Sequence, residues 1–309
     1  MPEEALVEDI AWIAVDWGTS NLRAWGLDRA GEVVAEALSS SGMATLDRAG
    51  FEPALLALIG DWLPADRRTP VIACGMVGAR QGWIEVPYRQ VPCTPVALAR
   101  IGRPDTRDPR LRVMIVGGLM QARPADVMRG EETQIAGLLL DNPGFDGVLC
   151  LPGTHTKWVR VRGGEIVAFL SVMTGELFAL LAGQSVLRHS LDGEGWDDAE
   201  FARAVSATLA DPGGFAGRLF AVRAEALLSG LPAAAARARL SGLLIGAELA
   251  ATQAYWRDAD VTIVGNGAQS GHYADALRAQ GRSPAIADTT LVTLSGLRSA
   301  WQQLAKEAS

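Results

Sequence analysis

Cysteine is scarce, with only Cys74, Cys93 and Cys150 in 309 residues. Their spacing forms neither a metal cluster nor an even-numbered disulfide framework, so they read as buried thiols of a reducing cytoplasm. Cations are short as well. The 28 Lys plus Arg stand against 35 Asp plus Glu, for a net charge of −7. Such a chain has no surplus charge to neutralise a phosphate backbone, so nucleic acid is not an expected partner, although a locally positive pocket can still take a small anion. No uninterrupted apolar run reaches the roughly 20 residues that span a bilayer, and the opening MPEEALVED is acidic where a secretory signal is basic. A cytoplasmic protein without a membrane partner is expected. The pattern G-x-x-x-x-G-K-[ST] is also missing, so any nucleotide must be held by something other than a P-loop.

What is present is a chain with 49% hydrophobic residues, enough to fill one large core or two of ordinary size. Residues 10–38 read as strand, turn, strand, turn, strand: IAWIAV, DWGTSN, LRAWGL, DRAG, EVVAEAL. Phe51, Leu55, Leu58, Ile59 and Trp62 then recur at helical spacing, and Pro64 lies just past that helix. VIACGM at 71–76 and RVMIVGG at 112–118 read as buried strands, and EETQIAGLLL at 131–140 as a helix that opens on acids, as the helix dipole favours. Further helices are expected at 176–189, 197–209, 232–256 and 291–305. The stretch 192–230 carries no functional signal.

At 147 the chain starts again. GVLCLPGTHTKWVRVRGGEIVAFLSV repeats the meander: Gly18-Thr19 matches Gly153-Thr154, and Gly31-Glu32-Val33-Val34-Ala35 matches Gly164-Glu165-Ile166-Val167-Ala168. No Pro/Ser-rich linker separates the halves, which implies two closely joined domains.

The two first turns differ in one informative way. The turn at 16–21 pairs Asp16 with Gly18, Thr19 and Ser20, donors that could cradle an anion. A carboxylate there would repel phosphate unless a divalent cation lay between them, and Mg²⁺ asks for one or two carboxylates, with water and phosphate completing its shell. The plain alternative is an Asp capping its own turn. The second turn, Leu151 to Lys157, keeps the glycine and hydroxyls but has Lys157 and no acid. Two such cradles suit a triphosphate. His155 and Lys157 are each as readily packed residues as ligands. The loop Gly265-Asn266-Gly267 follows a strand and opens a helix, a context that receives nucleotides, yet Ser270 stands where G-x-G-x-x-G needs its third glycine.

Together these motifs resemble the sugar kinase/actin superfamily. Asp16-x-Gly18-Thr19-Ser20-x-x-Arg23 is similar to its first phosphate motif, Gly153-Thr154-His155-Thr156 to its second, and Val264 to Ala268 to its adenosine motif. Within it, CGMVGARQGWIEVPY (74–88), VMRGEETQIAG (127–137), LPGTHTKWV (151–159) and MTGELFALL (173–181) resemble the 2-dehydro-3-deoxygalactonokinase family. The resemblance implies an α/β fold of two actin-like ATPase (ribonuclease H-like) domains, residues 1–133 and 134–309, with the nucleotide cleft between them, the first mainly for the sugar acid, and the last helix packing back toward it. It implies ATP and Mg²⁺ as cofactors, a small sugar acid phosphorylated on its terminal hydroxyl, and no nucleic-acid or membrane partner; a homodimer is compatible with it. Gly18, Thr19, Ser20, Gly153, Thr154, His155, Thr156, Lys157, Gly265 and Gly267 would face the nucleotide, with Asp16 on the metal. Relatives begin the connecting helix with a catalytic aspartate. Glu132 falls at that place here, and the base stays open among Glu132, Glu131 and Asp16. Arg80 and Arg129 are candidates for the substrate carboxylate, with Gln81 and Trp83 shaping its pocket. The competing readings are a kinase of another sugar or sugar acid and an actin-like nucleotide-dependent switch.

Overall fold

The structure is a computed structural model describing residues 9–97 and 100–307. Its first meander is β1 (Trp12–Trp17), β2 (Leu22–Leu27) and β3 (Val33–Ser39), followed by α1 (Phe51–Ile59), β4 (Thr69–Gly75), β5 (Arg89–Gln90), β6 (Leu111–Ile115), β7 (Leu119–Ala122), β8 (Ala125–Met128) and α2 (Glu131–Asp141). The second is β9 (Gly147–Leu151), β10 (Thr156–Arg162) and β11 (Glu165–Val172). Helices α3 (Thr174–Gln184), α4 (Asp198–Ala210), α5 (Phe215–Leu228), α6 (Ala233–Ala251) and α7 (Gln253–Trp256) follow, then β12 (Val261–Val264), α8 (Ala268–Arg278), β13 (Ala285–Ala287) and α9 (Thr289–Glu307).

Two sheets share one topology. Their orders are β3-β2-β1-β4-β6 and β11-β10-β9-β12-β13: a meander whose first strand continues into parallel neighbours. The repeat read from Gly-Thr and Gly-Glu landmarks is thus a repeat of architecture, the mixed α/β fold expected twice. A third, small sheet, β5-β7-β8, has no counterpart.

Strand alternation decides what each face of β1 meets. Ile13, Val15 and Trp17 join a core with Phe51, Leu55 and Ile59 of α1. Trp12 and Ala14 face the other way, toward Leu297 and Ala300 of α9, and Trp12 stacks on Trp301 at 5.4 Å. Helices α2 and α9 cross with backbones in contact: a Cβ on Gly296 would strike the Thr133 carbonyl, and one on Gly137 the Val292 carbonyl.

The chain divides into two compact units, the first running through Asp146 and including 162–168 and the C-terminal helix from Thr289, the second holding 147–161 and 169–288. The division falls after α2, where the sequence had suggested 133, because α2 packs on α9 and cannot leave the first core.

Candidate functional site

Asp16 is the next outward member of the Trp12/Ala14 face, at the open end of β1. The parallel neighbour β4 places Cys74 beside it in register, and the antiparallel neighbour β2 places Arg23. The Cys74 thiol lies 3.8 Å from Asp16 Oδ1, a weak contact and the only side-chain hydrogen bond of Asp16 among the described residues. Arg23 spends its Nη1 on Thr290 Oγ1 at 2.9 Å. Burial pushes the Asp16 carboxyl up, with the Arg23 charge and the thiol contact opposing. Burial and the nearby Asp16 and Glu132 carboxylates hold Cys74 as an unreactive thiol, its pKa pushed upward.

The two glutamates open α2 directly above. The helix begins after Gly130, whose φ of 107° suits glycine; a Cβ there would come within 3.3 Å of the Gly75 Cα, so two glycines meet where a side chain would crowd the helix against β4. Glu132 is fully buried, with Oε2 accepting from Gly130 N at 2.8 Å and Oε1 from the Thr133 hydroxyl at 3.2 Å. Burial first, and the neighbouring Glu131 charge second, push its carboxyl up to about 8, so it carries a proton at neutral pH. Glu131 is half-buried and accepts from Arg129 N at 2.9 Å. The adjacent pair therefore splits into an inward acid and an outward one.

Arg129 is 9% exposed, and its guanidinium lies 4.3 Å over the Tyr88 ring with Nη2 donating to Val86 O at 2.8 Å. Its Nε and Nη1 are buried and find no acceptor among the described residues. A buried guanidinium with two unused donors is costly unless something supplies oxygens. Arg80 and Gln81 are exposed on the loop after β4. Trp83 is 8% exposed, stacked on Phe51 with Trp17 at its edge, and so is chiefly a core residue; its free edge lines a cavity of about 350 Å³ with Arg48, Glu52 and Arg107.

At the turn after β1, Gly18 N donates to Asn21 O at 2.9 Å, while Thr19 and Ser20 are exposed. The turn is docked by its carbonyls: Met43 N donates to Gly18 O and Ala44 N to Thr19 O, at 3.0 and 2.9 Å. The Gly18 amide is therefore spent within the turn, and what faces outward is the pair of hydroxyls.

The second unit has its own constellation. A cavity of about 370 Å³ is lined by the turn residues Gly153 and Thr154, by Thr174 and Gly175 of α3, by Ser241 and Leu244 of α6, and by Gln269 and His272 of α8. Trp196 stacks on His272 at 4.0 Å and 9° in its wall. Burial lowers the His272 pKa, with Asp275 and Asp198 opposing, which favours the neutral ring. The loop Gly265–Gly267 delivers α8 to this wall, and a Cβ on Gly265 would strike the Ser270 hydroxyl. His155 is exposed, Nε2 lying 2.5 Å from Glu176 Oε2. Thr156 and Lys157 belong to β10 and are buried; Lys157 faces Leu151 in register as Arg23 faces Asp16. Of the expected second cradle, Gly153 and Thr154 thus line the cavity, whereas Thr156 Oγ1 pairs inward with Tyr273 at 2.8 Å.

Sequence reasoning missed Trp196, His272 and Tyr273. Trp196 lay in the stretch without signal. The others carry no motif, because a residue that lines a pocket from a helix shares the helical spacing of core residues.

A family model described as 2-keto-3-deoxy-galactonokinase matches residues 16–300. A Rhizobium meliloti protein named as a 2-dehydro-3-deoxygalactonokinase is 41% identical over 300 residues, 94% of this chain and 96% of that one. The Escherichia coli 2-dehydro-3-deoxygalactonokinase is 35% identical over 278 residues, 87% of this chain and 90% of that one. A crystal structure described as that of a Sinorhizobium meliloti 2-dehydro-3-deoxygalactonokinase superposes with a TM-score of 0.87 at 38% identity, covering 95% of this chain and 99% of that one. On this full-length agreement, the chain belongs to the 2-keto-3-deoxy-galactonokinase family.

Proposed function

We propose that the chain transfers the γ-phosphoryl group of ATP to the terminal, C6 hydroxyl of 2-dehydro-3-deoxy-D-galactonate, in galactonate breakdown. The observation that carries this reading is the family match across residues 16–300. The site chemistry supports it.

Asp16 suits Mg²⁺. Its carboxylate lies near the end of β1 beside a turn of exposed hydroxyls and, among the described residues, has only a thiol as hydrogen-bond partner, so its oxygens are available to a hard cation. When bound, the ion supplies neutralisation of phosphate charge. Thr19 and Ser20 offer hydroxyls to the phosphates. In the second unit, the Gly153–Thr154 turn offers the same, and the Trp196–His272 stack gives the base a flat wall.

The acid needs an anchor at one end and a base at the other. Arg129 fits the anchor: its two unused donors match a carboxylate, and Nη2 holds the guanidinium on Val86 O. Arg80 and Gln81, exposed on the loop between β4 and Val86, serve as outer contacts. For the base, Glu131 takes precedence over Glu132, because a general base must reach the hydroxyl and Glu132 is sealed and protonated. Glu132 then locks the start of α2.

Phosphorus NMR of the product tests the reading. Incubation with ATP, Mg²⁺ and the keto-deoxy acid is expected to give a phosphomonoester coupled to the two protons of the terminal CH₂. Phosphate on a secondary hydroxyl, or no transfer, overturns it.

A further inference from the structure

Glu248 lies in the last turn of α6, 2% exposed, and no step above uses it. A carboxylate so placed is costly unless donors saturate it. Three do. Trp158 Nε1 on β10 donates to Oε1 at 2.7 Å, and Oε2 accepts from the Thr174 hydroxyl on α3 and, at 2.7 Å, from the Tyr273 hydroxyl on α8. The Tyr273 hydroxyl in turn lies 2.8 Å from Thr156 Oγ1, so the network runs on from Glu248 through Tyr273 to Thr156.

Each partner is part of the frame around the nucleotide cavity. Thr174 lines that cavity, and the residues after it close on the turn: Gly175 has no room for a Cβ against the Gly153 carbonyl, and Glu176 N donates to Thr154 O at 2.9 Å. Tyr273 also lines it, and Gln269, one turn earlier on α8, reaches Gly153 O at 3.5 Å. Thr156 and Trp158 continue the strand that leaves the turn. The carboxylate of Glu248 thus joins three elements that meet at Gly153 and Thr154.

We infer that Glu248 is a positioning residue of the nucleotide pocket: as an acceptor for Trp158, Thr174 and Tyr273, it holds the Gly153–Thr154 turn and the α8 wall in the geometry that receives ATP, without touching ATP. The inference rests on the proposal that this cavity is the nucleotide pocket. A residue serving the core alone would lower stability without singling out one substrate.

The test compares Glu248→Gln, Tyr273→Phe, their double variant and Ser241→Phe, measuring KM for ATP, KM for the sugar acid, kcat and Tm. Ser241→Phe fills the cavity and reports on the pocket itself. Glu248→Gln turns acceptors into a donor toward Thr174 and Tyr273, and is expected to raise KM for ATP about tenfold while KM for the acid stays within about twofold. Tyr273→Phe is expected to raise KM for ATP about threefold, with the double variant no worse than Glu248→Gln alone, since the two changes break one network. Should Glu248→Gln fail to fold, Tyr273→Phe decides on the same criterion. An unchanged KM for ATP in Ser241→Phe overturns the pocket reading and the inference with it. A raised value there, with Glu248→Gln and Tyr273→Phe leaving KM for ATP at the starting value or moving both KM values in step with Tm, overturns the role of Glu248 alone.

Discussion

Single residues decide the chemistry here through what their neighbours leave unfilled. Asp16 has one weak thiol contact and Arg129 two idle donors among the described residues, while burial separates Glu131 from the sealed Glu132. Asp16→Asn is expected to lower kcat by about 100-fold or more with KM for the sugar acid little changed, because it removes charge handling rather than substrate contact; steady-state kinetics check this. Arg129→Met is expected to raise KM for the acid about 10- to 100-fold, the effect of losing a charged hydrogen-bonding pair. Glu131→Gln and Glu132→Gln separate base from lock: the first is expected to cost roughly 100-fold or more in kcat with Tm unchanged. The second acts on stability. Glu132 ionises at 4.5 in a free chain and at about 8 when folded, so its favourable contribution is complete below pH 4.5 and is lost as the pH rises toward 8. Thermal unfolding between those values should therefore depend less on pH in Glu132→Gln than in the parent. The sequence singled out Asp16 as a candidate because its repeat, built on the same Gly-Thr landmark, lacks the acid. It could not separate Glu131 from Glu132, since adjacent residues on a helix share every sequence signal and differ only in the face they present.

Elements were legible where periodicity is strong, and less so where packing decides. Both meanders, α2 and the strand-loop-helix at 261–278 lie where alternation and glycine punctuation put them. The hairpin β7–β8 was not foreseen, because each strand has four residues, too few for alternation to show. Helix α5 was missed in the stretch without signal: its apolar residues are spread around the helix and only Val222 is buried, so no single apolar stripe marks it. The crossing of α2 and α9 was invisible for a different reason: Gly137 and Gly296 look like helix weaknesses in sequence, and only their mutual contact explains them. Gly296→Val should force that crossing apart and cost about 1–3 kcal/mol or more, read by chemical denaturation. Because α2 carries Glu131, kcat should fall along with stability.

At the scale of the whole molecule, one topology is used twice with different chemistry at the same place. The first copy sets Asp16 opposite Arg23, one residue before β1 ends; the second has Leu151 opposite Lys157 and sets Gly153 and Thr154 against a cavity of its own. The repeat made this architecture readable from sequence, but the pocket residues that choose a substrate stand outside the repeat, which is why fold preceded function. The described residues contain no helix long and apolar enough to cross a membrane. The preference for a keto-deoxy sugar acid is measured by an ADP-release assay across keto-deoxy acids, aldonic acids and neutral hexoses. The kcat/KM for 2-dehydro-3-deoxygalactonate is expected to be about 100-fold or more above that for neutral hexoses, since Arg129 is left without its anion by the latter. Equal or better turnover of a neutral hexose, or ADP release that needs no acceptor, would contradict it.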